Sequence, residues 1–108
     1  MESKSMWEIL VPTQRNDGRP FRLRYHKVWD ETVRAITGGL TVMPKSVAGE
    51  WQAPDGTVYA ETMIPVRIVA TESQMTEIAA MTADYYEQEA ILWYQVAPII
   101  RMTYRGGS

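Results

Sequence analysis

Two groups of polar side chains in the second half of the chain have the types and spacing to bind a ligand. Glu61 stands just before the apolar run MIPVRIVA, where strand alternation could place its carboxylate on a sheet surface beside aromatic rings. Such a carboxylate can bind a cation or a sugar hydroxyl. An exposed strand glutamate paired with Arg67 or Lys45 is the alternative, and the residues alone leave both open.

The second group is Glu87-Gln88-Glu89, which follows a predicted helix and precedes the last apolar run. Acidic residues are unfavourable at a helix C-terminus because they face the negative end of the helix dipole. This placement therefore hints at a role in ligand binding. The alternative is a solvated turn for Glu87 and Glu89, with Gln88 bonded to the backbone of that turn.

A basic loop precedes the first predicted helix and contains Arg15, Arg19, Arg22 and Arg24. These arginines could clamp a phosphate or carboxylate, but a solvated loop explains them equally well. The strands lack the aromatic, basic and glycine-containing motif of RNA-binding domains with a similar element order. We therefore expect no nucleic-acid partner, and the role of residues 15–24 stays open.

The composition excludes several kinds of chemistry. The chain has no cysteine and a single histidine, His26, so neither thiolate catalysis nor a cysteine- or histidine-rich metal site fits one chain. No metal and no cofactor are expected. A net charge of −2 provides no general attraction to nucleic acid or anionic lipid. The 108 residues contain no long apolar run, which predicts a cytoplasmic protein without a membrane partner.

The stretch from Gly38 to Ile68 indicates how these side chains are positioned. Gly38-Gly39 ends a helix predicted over residues 25–37, and Pro54-Asp55-Gly56 joins two long strands. The first of these strands covers 40–43 and 47–52, with Pro44 marking an edge or bulge. The second covers 57–69, with a break expected at Pro65.

The remaining predicted elements complete the order. They are a strand at 6–11, a helix from Thr71 that opens with a capping box, a strand at 90–96, and a further strand or continuation at 99–104. The helices should bury stripes that contain Tyr25, Trp29, Thr32, Val33 and Ile36 in the first, and Met75, Ile78, Ala79, Thr82 and Tyr85 in the second.

This order predicts an α+β, ferredoxin-like βαββαβ domain over residues 1–105, with a disordered tail at 106–108. Two helices would cover one face of an antiparallel sheet. Five large rings lie on predicted strands, more than two helices can cover: Trp7, Trp51, Tyr59, Trp93 and Tyr94. The second sheet face should therefore be buried in a homo-oligomer, for which a dimer is the commonest general case.

Two resemblances follow from these motifs. The segments GGLTV, GEWQAPDG, IPVRI and YYEQEAILWY, within residues 38–96, resemble small bacterial and phage proteins that carry no assigned activity. Between Tyr59 and Tyr94 the chain also resembles phage S-adenosylmethionine lyases, long called S-adenosylmethionine hydrolases. That likeness rests on Glu61 before Val66-Arg67-Ile68, then on Tyr86-Glu87-Gln88-Glu89 before the final strand. It needs a one-residue gap, and the N-terminal third differs.

The lyase resemblance implies a homotrimer that binds its ligand between subunits, and it favours a trimer over a dimer here. It also implies an intramolecular reaction that yields homoserine lactone and methylthioadenosine. On this basis Glu61 is the predicted catalytic residue. The predicted ligand-binding residues are Tyr59, Arg67, Glu87, Gln88, Trp93 and Tyr94. The alternative is an oligomeric module without catalysis that binds a small ligand or a partner protein.

Overall fold

The structure is a computed structural model that describes residues 2–107. Its elements, in chain order, are β1 (Ser5–Pro12), α1 (Leu23–Thr37), β2 (Thr41–Val42), β3 (Val47–Gln52), β4 (Val58–Ala70), α2 (Glu72–Tyr85) and β5 (Trp93–Ala97). This is the predicted βαββαβ order, with the second strand divided into β2 and β3. The division falls at residues 43–46, where Pro44 interrupts the pairing as expected.

One antiparallel sheet of order β2-β4-β1-β5 forms the centre of the fold, and β3 extends the edge begun by β2 along the same strand, β4. Both helices pack on one face of this sheet. The predicted α+β, ferredoxin-like class is therefore confirmed. No helix within residues 2–107 is long and apolar enough to cross a membrane.

The core lies between the helices and the alternate side chains of the two central strands. Ile9 on β1 stands opposite Val66 on β4, and both point toward α1 and α2. From the helices, Trp29 and Met75 are fully buried in the same cluster. The predicted helix stripes are largely correct, but Thr32 is exposed and its hydroxyl donates to a backbone carbonyl one turn earlier.

Both predicted helix-end signals are present. Thr71 and Gln74 form the capping box: the Gln74 amide donates to Thr71 Oγ1 at 3.1 Å, and the Thr71 amide donates to Gln74 Oε1 at 2.9 Å. At the end of α1, Gly38 adopts φ of 92°, and its amide donates to the Arg34 carbonyl at 2.7 Å. That left-handed conformation is one that glycine adopts without steric cost.

The expected break of the long strand at Pro65 does not occur, because β4 runs unbroken from Val58 to Ala70. The carbonyl of Pro65 accepts from the Met43 amide at 2.9 Å, so Pro65 faces the edge where β2 gives way to β3. The N–H that proline lacks would point to the same side. The missing bond falls where β2 ends, and pairing with β1 continues on the other side of β4, so the strand itself is not broken.

The strands predicted at 90–96 and 99–104 need correction. The last strand begins at Trp93 rather than at residue 90, and residues 99–104 form no strand. Within residues 2–107 this strand pairs only with β1, which begins at Ser5, so residues 99–104 have no strand beside them. Ile99, Met102 and Tyr104 are consequently exposed. Ser108 lies outside the described residues, and the disorder of 106–108 stays a prediction.

Candidate functional site

The hairpin formed by β3 and β4 extends past the rest of the sheet. Strand β1 pairs with β4 only from Met63 onward, so residues 58–62 of β4 are paired with β3 alone. The molecule is correspondingly elongated, at 51 × 29 × 22 Å. We call this part, residues 47–62, the arm. Glu61 lies at the base of the arm, where it leaves the sheet.

The arm presents aromatic rings and a carboxylate on the sheet face opposite the helices. Trp51 stands opposite Tyr59, and their rings stack with centroids 4.8 Å apart and planes 19° apart. The residue opposite Glu61 is Gly49, which has no side chain to cover the carboxylate. Glu61 is half-buried, and among the described residues it forms no ion pair with Arg67 or Lys45.

Two other segments meet the base of the arm. In the loop after β1, the Thr13 amide and hydroxyl both donate to the Thr62 carbonyl, at 3.2 and 2.9 Å. Further along this loop, Asn16 Nδ2 donates to the Glu87 carbonyl at 3.0 Å. The loop therefore joins the arm to the turn that follows α2. The three segments enclose a pocket of about 490 Å³, whose polar and aromatic lining includes Arg15, Trp51, Tyr59, Glu61, Gln88 and Glu89.

A second, more apolar groove of about 420 Å³ adjoins this pocket on the open sheet face. Its apolar lining includes Leu10, Val47, Met63, Ile91 and Leu92. Pro12, Trp51, Glu61 and Gln88 line both spaces, and Glu61 and Gln88 carry the polar groups at this boundary. The site thus offers a polar compartment and an apolar compartment on either side of one carboxylate and one amide.

The turn after α2 is held from both sides. Glu87 adopts φ of 53°, and the Gln88 amide donates to the Ala83 carbonyl at 2.9 Å. The side chain of Gln88 donates to the Tyr86 carbonyl at 2.9 Å, which is the backbone contact considered from sequence. Gln88 therefore combines a structural bond with a place in the pocket wall. Glu87 lines a neighbouring groove instead, beside Arg15, Phe21 and Tyr86.

A buried hydrogen bond anchors this turn to α1. The Tyr86 hydroxyl and His26 Nδ1 are 2.7 Å apart, and Tyr86 is only 1% exposed. Burial lowers the pKa of His26 and raises the pKa of Tyr86, so both groups are neutral at neutral pH, and the tautomer of the imidazole sets which of the two donates. Burial also raises the pKa of Asp30, one turn further along α1.

Arg67 and Tyr94 do not line the pocket. They meet Glu8 on the open sheet face, where Arg67 Nε lies 3.1 Å from Glu8 Oε1 and the Tyr94 hydroxyl donates to Glu8 Oε2. The Glu8 side chain is only 11% exposed. Glu8 was not singled out from the sequence as a buried charge. The signal for it was a lone acidic residue within the apolar segment MWEILV.

Trp93 is also away from the pocket. It points toward the helices and packs on Trp7, with ring centroids 5.5 Å apart. Of the predicted site residues, the fold therefore brings together Glu61, Tyr59 and Gln88, with Glu89 beside them. Trp51 and Arg15, which are not among the predicted ligand-binding residues, also line this pocket. Among residues 2–107, no group of three His, Asp or Glu side chains is placed to hold a metal ion.

Known structures share this fold at low sequence identity. A phage SAM lyase in complex with S-methyl-5'-thioadenosine superposes with a TM-score of 0.65 and 11% identity, over 90% of this chain and 92% of that chain. CutA1 from Oryza sativa superposes with a TM-score of 0.62 and 12% sequence identity, over 94% of this chain and 85% of that chain. The divalent ion tolerance protein CutA1 from Ehrlichia chaffeensis superposes with a TM-score of 0.59 and 8% sequence identity, over 94% of this chain and 87% of that chain.

These likenesses establish the fold of the chain. No protein-family model matches it. A search of the curated proteins found no match. The fold and the pocket together define a small ferredoxin-like domain with a candidate ligand site at the base of its arm.

Proposed function

We propose that this protein is an S-adenosylmethionine lyase that forms homoserine lactone and methylthioadenosine. One observation carries the proposal: Glu61 and Gln88, from distant segments, line one pocket beside the stacked rings of Trp51 and Tyr59. The sequence resemblance to phage lyases rests on the segments that contribute these two residues. The shared fold with a phage SAM lyase supports the same assignment.

The chemistry suits a site without a nucleophile or a metal ligand set. A carboxylate oxygen of the substrate attacks its own Cγ; the new C–O bond closes the lactone while the Cγ–S bond breaks and its electron pair stays on sulfur. No proton is transferred, so no general base is needed. The site must hold the substrate in a near-attack shape and tolerate the loss of charge. Glu61 would anchor polar groups of the ligand, and Tyr59 would form part of the wall.

The proposal includes assembly, with a trimer favoured. On the open sheet face and beyond β5, large apolar side chains are exposed, among them Val47, Tyr59, Leu92 and Val96 at 38–61%. The pocket is open on this side of the arm, so a second copy that covered the face would also close the site. Light scattering at micromolar concentration tests assembly, and a monomer would contradict it.

The activity is tested by incubating purified protein with S-adenosylmethionine and measuring methylthioadenosine by chromatography. Methylthioadenosine should accumulate together with homoserine lactone. Glu61→Gln should reduce the rate at least about 100-fold if the carboxylate acts on the transition state, without a change in oligomer size. Glu77→Gln, an exposed glutamate on α2, is the matched control and should keep full activity. A folded oligomer that gives no product above background would refute the lyase assignment.

The fold shared with CutA1 proteins supports a second candidate, an oligomeric module that binds a ligand or partner without catalysis. It predicts no methylthioadenosine from S-adenosylmethionine under any condition. If product forms but Glu61→Gln keeps full activity, a different protein carboxylate holds the ligand, and Glu89→Gln in the same pocket becomes the next variant to measure.

A further inference from the structure

Arg15 is the one basic side chain in the lining of the pocket at the base of the arm, among residues 2–107. The same lining contains two carboxylates, Glu61 and Glu89. A pocket that is otherwise acidic and yet carries one guanidinium presents charge of both signs to a ligand. That pattern complements a zwitterion better than it complements a simple cation.

The guanidinium is held in place by aromatic rings rather than by an acid. Its central carbon lies 4.8 Å from the centroid of Phe21 and 5.4 Å from that of Tyr25. Stacking on ring faces orients the planar group and leaves its N–H edge free to donate. Within the described residues, Arg15 forms no ion pair.

The neighbouring arginine behaves differently, although it belongs to the same turn. Arg19 Nε lies 2.8 Å from Asp17 Oδ2, and its amide donates to Asp17 Oδ1 at 3.0 Å. These bonds lower the pKa of Asp17, so the pair is charged and mutually neutralised. The turn is closed by the Arg15 amide, which donates to the Arg19 carbonyl at 2.7 Å. One arginine is thus paired within the turn, whereas Arg15 forms no ion pair among the described residues and lies in the wall shared by the pocket and the neighbouring groove that Phe21 and Glu87 line.

We infer that Arg15 binds the α-carboxylate of an amino-acid group on the ligand. This inference rests on the proposed function and extends it to a residue outside the predicted set. For S-adenosylmethionine, the guanidinium would hold one carboxylate oxygen and leave the other free to attack Cγ. Arg15 therefore selects ligands that carry the amino-acid portion and orients the attacking group.

Two unreactive ligands separate this role from adenosyl recognition. S-adenosylhomocysteine carries the amino-acid carboxylate, whereas methylthioadenosine lacks it. Isothermal titration calorimetry should show that Arg15→Met weakens S-adenosylhomocysteine binding about 10-fold to 100-fold and leaves methylthioadenosine binding unchanged. Arg15→Lys, which keeps the charge but not the planar fork, should recover part of the loss. Arg19→Met is the matched control and should bind both ligands like the wild type.

Unchanged methylthioadenosine binding also shows that the variant keeps a folded site. Equal weakening of both ligands, or of neither, would overturn the role of Arg15 while leaving the adenosyl site intact. If the wild type binds neither ligand, the proposed function itself fails and the assignment of Arg15 falls with it.

Discussion

The ion pair on the open sheet face permits a quantitative prediction. Replacing Arg67 by methionine leaves the Glu8 carboxylate, 11% exposed, without its cationic partner. Breaking a fully buried pair costs about 3–5 kcal/mol, and a hydrogen bond to a charged group contributes about 1.5–3 kcal/mol. The Arg67 side chain is 41% exposed, so water offsets part of the loss. We therefore expect Arg67→Met to lower the free energy of unfolding by about 2 kcal/mol.

The double variant Glu8→Met/Arg67→Met should recover most of that loss, because it removes the stranded charge and leaves unbranched apolar side chains. Glu8→Met alone should cost less than Arg67→Met, since Arg67 remains partly solvated. Together the four proteins form a double-mutant cycle with an expected coupling of about 1–2 kcal/mol.

Urea unfolding followed by tryptophan fluorescence measures the cycle. All four proteins must be compared at one protein concentration, because assembly contributes to apparent stability. Arg34→Met, an exposed change on α1, is the control and should be within about 0.5 kcal/mol of wild type. If the single costs simply add in the double variant, the pair contributes nothing and the reasoning is wrong.

Three further predictions concern α1 and α2. Because burial lowers the pKa of His26 from its ordinary value of 6.5, the unfolded chain takes up the proton first as the pH falls, and stability should be lost below about pH 6.5. The variant His26→Gln should therefore show a weaker dependence of Tm on pH in this range. An unchanged dependence would exclude His26 as the cause. Thr71→Ala should lower the free energy of unfolding by about 1 kcal/mol in urea, whereas an intact value would mean that the capping box is dispensable. Gly38→Ala, at φ of 92°, should cost about 1 kcal/mol by thermal unfolding; Gly39→Ala is the control, and equal losses would contradict the conformational explanation.

Local signals explain why much of the fold could be predicted. Gly38, Thr71 and the Pro54-Asp55-Gly56 turn each specify backbone geometry over a few residues, and each acts as expected in the structure. The break predicted at Pro65 is wrong because the cost of a proline depends on its neighbours: the missing N–H faces the point where β2 ends, and β1 pairs with β4 without interruption on the other side. The segment 99–104 misled because a strand needs a partner, and no local pattern shows where β1 begins.

The candidate site was harder to predict because it joins three segments that are far apart in sequence. Strand alternation placed Glu61 on a sheet face, but it could not show that Gly49 leaves the carboxylate uncovered. Arg15 looked like its basic neighbours, and only the structure separates it from Arg19, which Asp17 neutralises. Tyr94 and Arg67 are on the same sheet face as Glu61, yet the strand register places them beside Glu8 and away from the pocket.

The unbroken course of β4 also links the pocket to the dynamics of the sheet. Its residues 63–70 pair with β1, and their core-facing side chains pack under the helices, whereas residues 58–62 pair with β3 alone. Beyond the bonds from Thr13 to the Thr62 carbonyl, the arm has fewer contacts to restrain it, and we expect it to bend there while the rest of the strand stays fixed. A ligand held between Glu61 and the loop would stop that bending. Amide hydrogen exchange should then slow at residues 58–62 and stay unchanged at 66–70, which would report occupancy without any turnover.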